Sequence, residues 1–227
     1  MELDSIEFGV LSEDEIRNIS VLDVTESDIY GENGAISGGL RDELMGPTAM
    51  GQDDVCCVCN LSVNKCAGHF GRIEFPVHLW HINRIPLAIK ELKRKCHKCF
   101  EPINKKKCAA CKTPAARIAW DSKKNVLMVN NKPKLAHEIV EWLGDKGETL
   151  LMKNMLCPPN SLRPPPTVGG EEIMGEDVTT RGLLQIIRTV KSLNTRIKSK
   201  DPQNIIRRSA SNLQKHVNVY IDRQRAT

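Results

Sequence analysis

Residues 56–71 read CCVCNLSVNKCAGHFG, which puts four cysteines and one histidine within fourteen positions. A stretch so dense in soft ligands folds around whatever those ligands bind. Cys56-x2-Cys59 sets two thiolates on one tight turn. Cys66-x2-His69 repeats the spacing after six residues, and Gly68 lets the backbone curl ahead of the imidazole. Replacing Cys56 by Cys57 would leave a single residue before Cys59, too tight for such a turn. The spacing therefore predicts one zinc site from Cys56, Cys59, Cys66 and His69, with Cys57 a bystander.

A second group, Cys96-x2-Cys99-x8-Cys108-x2-Cys111, predicts a four-thiolate zinc site, with His97 facing solvent inside its first turn. Short gaps of six and eight residues favour closing each site sequentially, although spacing alone also permits a cross-braced pairing. Four-ligand sites leave no open position for substrate or activated water, so both zinc ions are read as structural. A redox Cx2C would need a βαβ context, which is missing here. Nor is there a Gly-rich phosphate loop, a Gly-x-Ser-x-Gly or an acidic triad for two-metal chemistry. His78 and His81, flanking Trp80, read as one packed and one exposed histidine, and no catalytic residue is assigned.

At 227 residues the chain can form one large or two modest domains. Its 40% hydrophobic content supplies a core that, with 4% aromatics, is expected to be aliphatic. No run approaches the eighteen apolar residues of a membrane span, so no membrane partner is expected. The acidic start MELDSIEFGVLSEDEIRN lacks the order of a secretory signal. Nine cysteines, an odd number, then point to metal in a reducing compartment, nucleus or cytoplasm, and not to a secreted disulfide framework.

The net charge of +5 conceals a gradient. Residues 1–54 carry fourteen Asp/Glu against Arg17 and Arg41. Residues 90–112 carry nine Lys/Arg against Glu91 and Glu101, and residues 181–225 carry eleven against Asp201 and Asp222. Basic blocks beside a zinc site favour a polyanionic partner, DNA or RNA. Lys93, Arg94, Lys95 and Lys98, with Lys105, Lys106 and Lys107, are the expected phosphate contacts, and Arg207 and Arg208 a weaker set.

The fold class expected is α+β, loop-rich and zinc-stapled, with small strands. Ser12 and Glu15 form a capping-box pattern before a helical stretch at 13–18. Strands are expected at 21–24, at 72–77 with Pro76 marking an edge or end, at 115–118, 126–129 and 150–156. Helical spacing runs through Ile82, Ile85, Ile89 and Leu92, and a short helix is expected at 133–143. Leu183, Ile186, Val190, Leu193 and Ile197 form a narrow seam, repeated by Ile206, Ala210, Leu213, Val217 and Tyr220. Asp201 is the natural N-cap of the second helix with Pro202 at its first position, and a turn this short implies an antiparallel helical hairpin. Three segments are expected: 1–95 with the first zinc site, 96–180 with the second, and 181–227 as the hairpin.

In order along the chain, several stretches resemble one family: the largest subunit of archaeal and eukaryotic-type multisubunit DNA-dependent RNA polymerases. They are Ile6-Glu7-Phe8-Gly9-Val10-Leu11-Ser12 and Gly38-Gly39-Leu40 with Asp42 and Gly46. Cys56-x2-Cys59-x6-Cys66-x2-His69-Phe70-Gly71 follows, then the Cys96–Cys111 group, Leu156-Cys157-Pro158-Pro159, Arg163-Pro164 and Leu213-Gln214-Lys215-His216-Val217. The resemblance implies the N-terminal clamp, which closes over DNA and the RNA–DNA hybrid. The implied partners are the remaining part of the largest subunit, the second-largest subunit and the smaller subunits. It also implies that the catalytic Mg2+ is held by an aspartate-rich loop absent from these 227 residues, so Mg2+ belongs to the assembled polymerase and this chain is a nucleotidyltransferase component. The chain then reads as a split-gene product or N-terminal portion. The Cys99–Cys108 gap is shorter than the family pattern and Leu44 stands where the family tends to carry an arginine, a compact, divergent version that suggests a large DNA virus, with a virion or viral factory as its location, or an unusual lineage. The reading from another class is a free-standing zinc-binding regulator that recruits protein or nucleic acid.

Overall fold

The computed structural model describes residues 9–32, 34–47, 55–103, 106–164, 167–168, 171–172 and 175–226. Ile6-Glu7-Phe8, Lys105 and Pro165-Pro166 lie outside these residues. The elements, in order, are α1 (Glu13–Ile19), β1 (Ser20–Asp23), β2 (Tyr30–Gly31), β3 (Gly34–Ala35), β4 (Phe70–Trp80) and α2 (Ile85–Lys93). They continue with β5 (Ile118–Asp121), β6 (Val126–Val129), β7 (Lys132–Lys134), α3 (Val140–Leu143), α4 (Gly147–Leu150) and β8 (Leu151–Cys157). The short β9 (Thr167–Val168) and β10 (Glu171–Glu172) precede the long helices α5 (Val178–Lys198) and α6 (Gln203–Ala226). Among the described residues no helix is long and apolar enough to cross a membrane.

Two sheets organise the mixed α+β fold. The first has the order β1-β4-β8, with β1 parallel and β8 antiparallel to the central β4. The second is the antiparallel meander β5-β6-β7. Ser12 starts α1 as its sequence predicts: the Glu15 N–H donates to Ser12 Oγ at 3.2 Å, and the Ser12 N–H donates back to the Glu15 carboxylate at 2.7 Å. Pro76 does not end its strand. It lies within β4 where the register against β8 shifts between Glu74 and Leu79, and a residue without an N–H is tolerated at such an irregularity.

Two apolar cores result. In the first, Ile73, Phe75 and Leu79 of β4 pack with Leu183, Ile186 and Ile187 of α5 and with Leu213 and Val217 of α6. The buried face of α5 is wider than its seam, since Leu184 and Ile187 are buried beside Leu183, Ile186, Val190 and Leu193, while Ile197 is 37% exposed. One helix that packs on both a sheet and a second helix needs that extra width. The Tyr220 ring near the end of α6 sits against Gly182 near the start of α5, so the two helices run in opposite directions. In the second core α2, β5, β6 and residues 136–143 surround Trp80 and Trp142. Phe75, Trp80, Trp142 and Tyr220 are buried while Tyr30, Phe70 and Phe100 are exposed, so the core is not purely aliphatic.

Local chemistry moves two helix boundaries. Residues 133–143 are not one helix: Pro133 belongs to β7, a 3₁₀ turn covers 136–138, and only Val140–Leu143 is α-helical. The Glu138 carboxylate accepts the Leu135 N–H at 2.8 Å and pairs with Arg207 of α6, which fixes the turn. α6 begins at Gln203, so Pro202 precedes the helix and Asp201 is not its N-cap: the Asp201 carboxylate pairs with Arg196 at 3.4 Å, and the Pro202 carbonyl accepts from Ile206 at 3.2 Å.

Gln214 joins the two cores. Its amide oxygen accepts the Trp80 N–H at 2.7 Å, and its amide nitrogen donates to the Trp80 carbonyl at 3.0 Å and to Asn218 at 2.8 Å. Both residues are buried, so no water replaces these bonds. Gln214→Leu is expected to cost about 1–3 kcal/mol by leaving the Trp80 backbone unpaired, read as a lower urea midpoint at unchanged m-value.

Candidate metal centres and the basic surface beside them

One backbone device is built three times. After Cys56, Cys96 and Cys108 the chain turns back so that each cysteine N–H donates to the carbonyl five residues on, at 2.9, 2.8 and 2.9 Å. Each cysteine carbonyl accepts from the N–H four residues on, at 2.9, 3.0 and 3.1 Å. Isolated bridges Val55–Ser62, Lys95–Pro102 and Lys107–Pro114 close the three knuckles identically. The turn forces the residue after the second cysteine into left-handed backbone: Asn60 at φ 56°, Phe100 at φ 61° and Lys112 at φ 58°. Asn tolerates that region; Phe and Lys do so at a cost.

The fourth ligand pair, Cys66 and His69, uses Gly68 at φ 87° instead, with the Gly68 N–H donating to Cys66 Sγ at 3.3 Å. A Cβ on Gly68 would come within 2.5 Å of Pro159 and 2.6 Å of Ser161, so only glycine fits.

The ligand atoms of Cys56, Cys59, Cys66 and His69 lie within 4.8 Å of one another, as do those of Cys96, Cys99, Cys108 and Cys111. The grouping is thus sequential, and cross-bracing is not what the fold builds. Cys57 is exposed, its thiol 3.6 Å from the Glu43 carbonyl. The donor sets fit a tetrahedral ion. With zinc about 2.3 Å from sulfur and about 2.05 Å from nitrogen, tetrahedral edges are about 3.8 Å between sulfurs and about 3.6 Å from sulfur to nitrogen. His69 Nε2 lies 3.3 Å from Cys56 Sγ and 3.6 Å from Cys66 Sγ. In the second group Cys96 and Cys111 are 3.4 Å apart, and Cys99 is 3.5 Å from both Cys108 and Cys111.

Within each group the protons are held unequally. Burial pushes the Cys56 thiol up, but the N–H groups of Cys59 and Val58 and the thiols of Cys66 and Cys59 outweigh it and bring it down to about 6. Burial pushes Cys66 up to about 11. Cys111 is drawn down to about 6 by the hydroxyl and N–H of Thr113. A metal binds thiolates, so filling either site displaces the remaining thiol protons.

The first site is seated on a buried polar network that the sequence did not announce. Arg163, 0% exposed, donates to the Leu40 carbonyl at 2.6 Å, the Pro158 carbonyl at 2.9 Å, Thr180 Oγ1 at 3.1 Å and Asn160 Oδ1 at 3.1 Å. Arg41, 1% exposed, donates to the Arg163 carbonyl and pairs with Glu176 at 2.6 Å. Asn160 donates to the carbonyls of Asp42 at 3.0 Å and Gly46 at 2.7 Å, and Ser161 to that of Ala67 at 2.7 Å. The sequence signal was present only as the Gly38-Gly39-Leu40 and Arg163-Pro164 stretches of the resemblance.

The second site connects differently. His97 is half-buried and not solvent-facing, its ring 6.1 Å from that of Trp142. Trp142 Nε1 donates to the Lys95 carbonyl at 3.2 Å, and Lys95 Nζ donates to the Leu143 carbonyl at 3.1 Å. Of the expected phosphate contacts, Lys93, Lys98, Lys106 and Lys107 are exposed. Arg94 is exposed but pairs with Glu91 at 3.1 Å, and Lys95 is engaged with α3. Lys105 lies outside the described residues. His78 and His81 are both half-buried, with burial lowering both below the ordinary histidine range.

Fold and donor geometry together define an α+β module with two four-donor groups that could each hold a metal ion. The family described as RNA polymerase Rpb1, domain 1, matches residues 1–132, which include all eight donors, and the chain belongs to that family. It is similar to the DNA-directed RNA polymerase subunit Rpo1N of Thermococcus celer, at 27% identity over 97% of this chain and 31% of that protein. It is also similar to Rpo1N of Sulfolobus acidocaldarius, at 28% identity over 96% of this chain and 31% of that protein. A shorter match, 33% identical over 43% of this chain and 6% of the other, is to the DNA-directed RNA polymerase I subunit rpa1 of Dictyostelium discoideum. The chain spans about a third of the length of the first two relatives.

The left-handed residues give a direct test of the knuckle. Phe100→Gly and Lys112→Gly are each expected to raise the stability of the metal-loaded chain by about 1 kcal/mol, and Asn60→Gly by less. Thermal unfolding of the three variants checks the order.

Proposed function

We propose that this chain is the clamp portion of a DNA-directed RNA polymerase largest subunit, closing over DNA and the RNA–DNA hybrid during transcription. The observation that carries the reading is the family match across the stretch that contains both four-donor centres. In this reading Cys56, Cys59, Cys66 and His69 hold one zinc ion, and Cys96, Cys99, Cys108 and Cys111 hold another. When bound, each ion supplies cross-links between loop segments and no reaction step, because all four positions around it are taken by protein.

This chain's own residues then position and attract. The Arg163 network fixes the first knuckle to the sheet and α5, the Lys95–Leu143 and Trp142–Lys95 bonds fix the second to α3, and the α5–α6 hairpin packs on the first core and reaches the second through the Gln214–Trp80 bonds. Lys93, Lys98, Lys106 and Lys107, exposed beside the second centre, would meet phosphates without reading sequence. Lys95 and Arg94 are the weaker members of that set, since their charged groups already have protein partners. The catalytic magnesium, the second-largest subunit and the rest of the largest subunit belong to the assembly.

Isolated from its native source, the chain is expected to accompany, at one-to-one stoichiometry, a larger polypeptide bearing an aspartate-rich magnesium loop. A monomer without such a partner overturns the clamp reading in favour of a free-standing zinc-binding regulator. By mass spectrometry of the metal, wild-type chain and Cys57→Ser should each hold two zinc ions, and Cys59→Ser one. Loss of zinc from Cys57→Ser would move Cys57 into the ligand set.

A further inference from the structure

A third basic block lies between the two visible in the charge gradient. Residues 113–134 carry Arg117, Lys123, Lys124, Lys132 and Lys134 against Asp121 alone. The fold brings two of them to a lysine ninety residues further on. The β5–β6 turn meets α6 at a cleft of about 350 Å³, where Lys123 and Lys124 face Lys215 beside Asn125, Ser211 and Asn212. All three lysines are exposed, and no carboxylate lines the cleft among the described residues. The nearest acid, Asp121, is committed to the turn itself: its carboxylate accepts the N–H groups of Lys123 at 3.0 Å and Lys124 at 3.1 Å, and approaches Lys124 Nζ only to 4.0 Å.

The β5–β6 turn is also tied to α6. Ser211 Oγ donates to the Lys124 carbonyl at 3.3 Å, and Asn218 Nδ2 donates to Asn125 Oδ1 at 2.8 Å. Asn125 is itself in left-handed backbone at φ 51°. Three like charges kept together by bonds that do not involve their ammonium groups repel one another, and an anion between them relieves that repulsion. The Lys124 carbonyl and the Asn125 side chain are what tie the turn to α6, leaving the lysine side chains out of the bonding.

We propose that Lys123, Lys124 and Lys215 form a contact for the phosphodiester backbone of nucleic acid, separate from the lysines of the second cysteine group. The proposal rests on the nucleic-acid reading of the proposed function and adds a second point of grip on the other end of the β5–β6 hairpin. Contacts of this kind are independent of sequence and release counterions, so they are counted by the salt dependence of binding.

The test is fluorescence anisotropy of a labelled short DNA duplex with the full zinc-loaded chain across a KCl series. Three variants are compared with wild type: Lys123→Glu/Lys124→Glu/Lys215→Glu, the neutral Lys123→Gln/Lys124→Gln/Lys215→Gln, and Lys106→Glu/Lys107→Glu. Zinc content and circular dichroism report that each is folded. Removing three phosphate contacts is expected to flatten the log K against log salt slope by about 2–3, at about 0.9 per contact, in both cleft variants. Slopes unchanged in both overturn the cleft while leaving the Lys106–Lys107 contact standing if that variant alone flattens. Flattening confined to the cleft variants supports the cleft and removes the knuckle lysines. No salt-dependent binding by wild type overturns both. In a parallel series, millimolar inorganic phosphate at matched ionic strength should leave the difference between wild type and cleft variants intact. Its abolition would assign the cleft to free phosphate and overturn the backbone contact.

Discussion

Arg163 sits where the chain's least self-sufficient parts meet. Its guanidinium satisfies the carbonyls of Leu40 and Pro158 and the side chains of Thr180 and Asn160 with no exposure to water. Loops 38–47 and 158–163 lack ladder partners of their own, and buried carbonyls without donors would cost more than the folding of such segments returns. A planar cation with five donors resolves several of them at once, where a lysine would reach fewer. Arg41 extends the network to Glu176 at the foot of α5. The first cysteine group is positioned through the same loops: Asn160 bonds Gly46, Met45 receives the His69 N–H at 3.2 Å, and Gly68 lies against Pro159. Burial lowers the affinity of Arg163 for its proton below the ordinary arginine value, a sign of how completely it is withdrawn from solvent.

The cysteine knuckles solve the opposite problem, and they solve it locally. Each closes its own backbone hydrogen bonds within seven or eight residues and aims two sulfurs to one side. A metal ion can then join two such turns, or one turn and the Cys66–His69 pair, without a large apolar core beneath them. The left-handed residues Phe100 and Lys112 show that closure of the turn outranks backbone preference at those positions. Below the second group, Trp142 and Lys95 exchange bonds with the backbone of each other's segments, so its orientation is set by the second core.

What could be read before any fold was known was whatever depends on near neighbours. The capping box at Ser12 and the long apolar seams of α5 and α6 are spacings of three or four residues, and the structure keeps them, while the two expected donor groups each come together within 4.8 Å. Pro76 misled because a proline's effect on a strand depends on whether its partner keeps register, which is decided by β8, about eighty residues away. The 133–143 segment lost its helix to Glu138, whose bonds to Leu135 and Arg207 pull the chain into a turn. The cysteine spacing places His97 in solvent, but packing brings it against Trp142, a contact that nothing nearby in sequence foretells.

The amino-acid sequence by itself determined the ligand chemistry, the local turns and the amphipathic helices, because donor spacing and helical period act over a few residues. Tertiary structure alone decided that the cysteines group sequentially, that Lys95 is occupied while Lys106 and Lys107 stay free, and that Arg41 and Arg163 are buried. It also decided that Lys215 faces Lys123 and Lys124. Each of these joins residues brought together by packing, and a charged side chain is either spent inside the fold or left for a partner according to which neighbours the packing delivers.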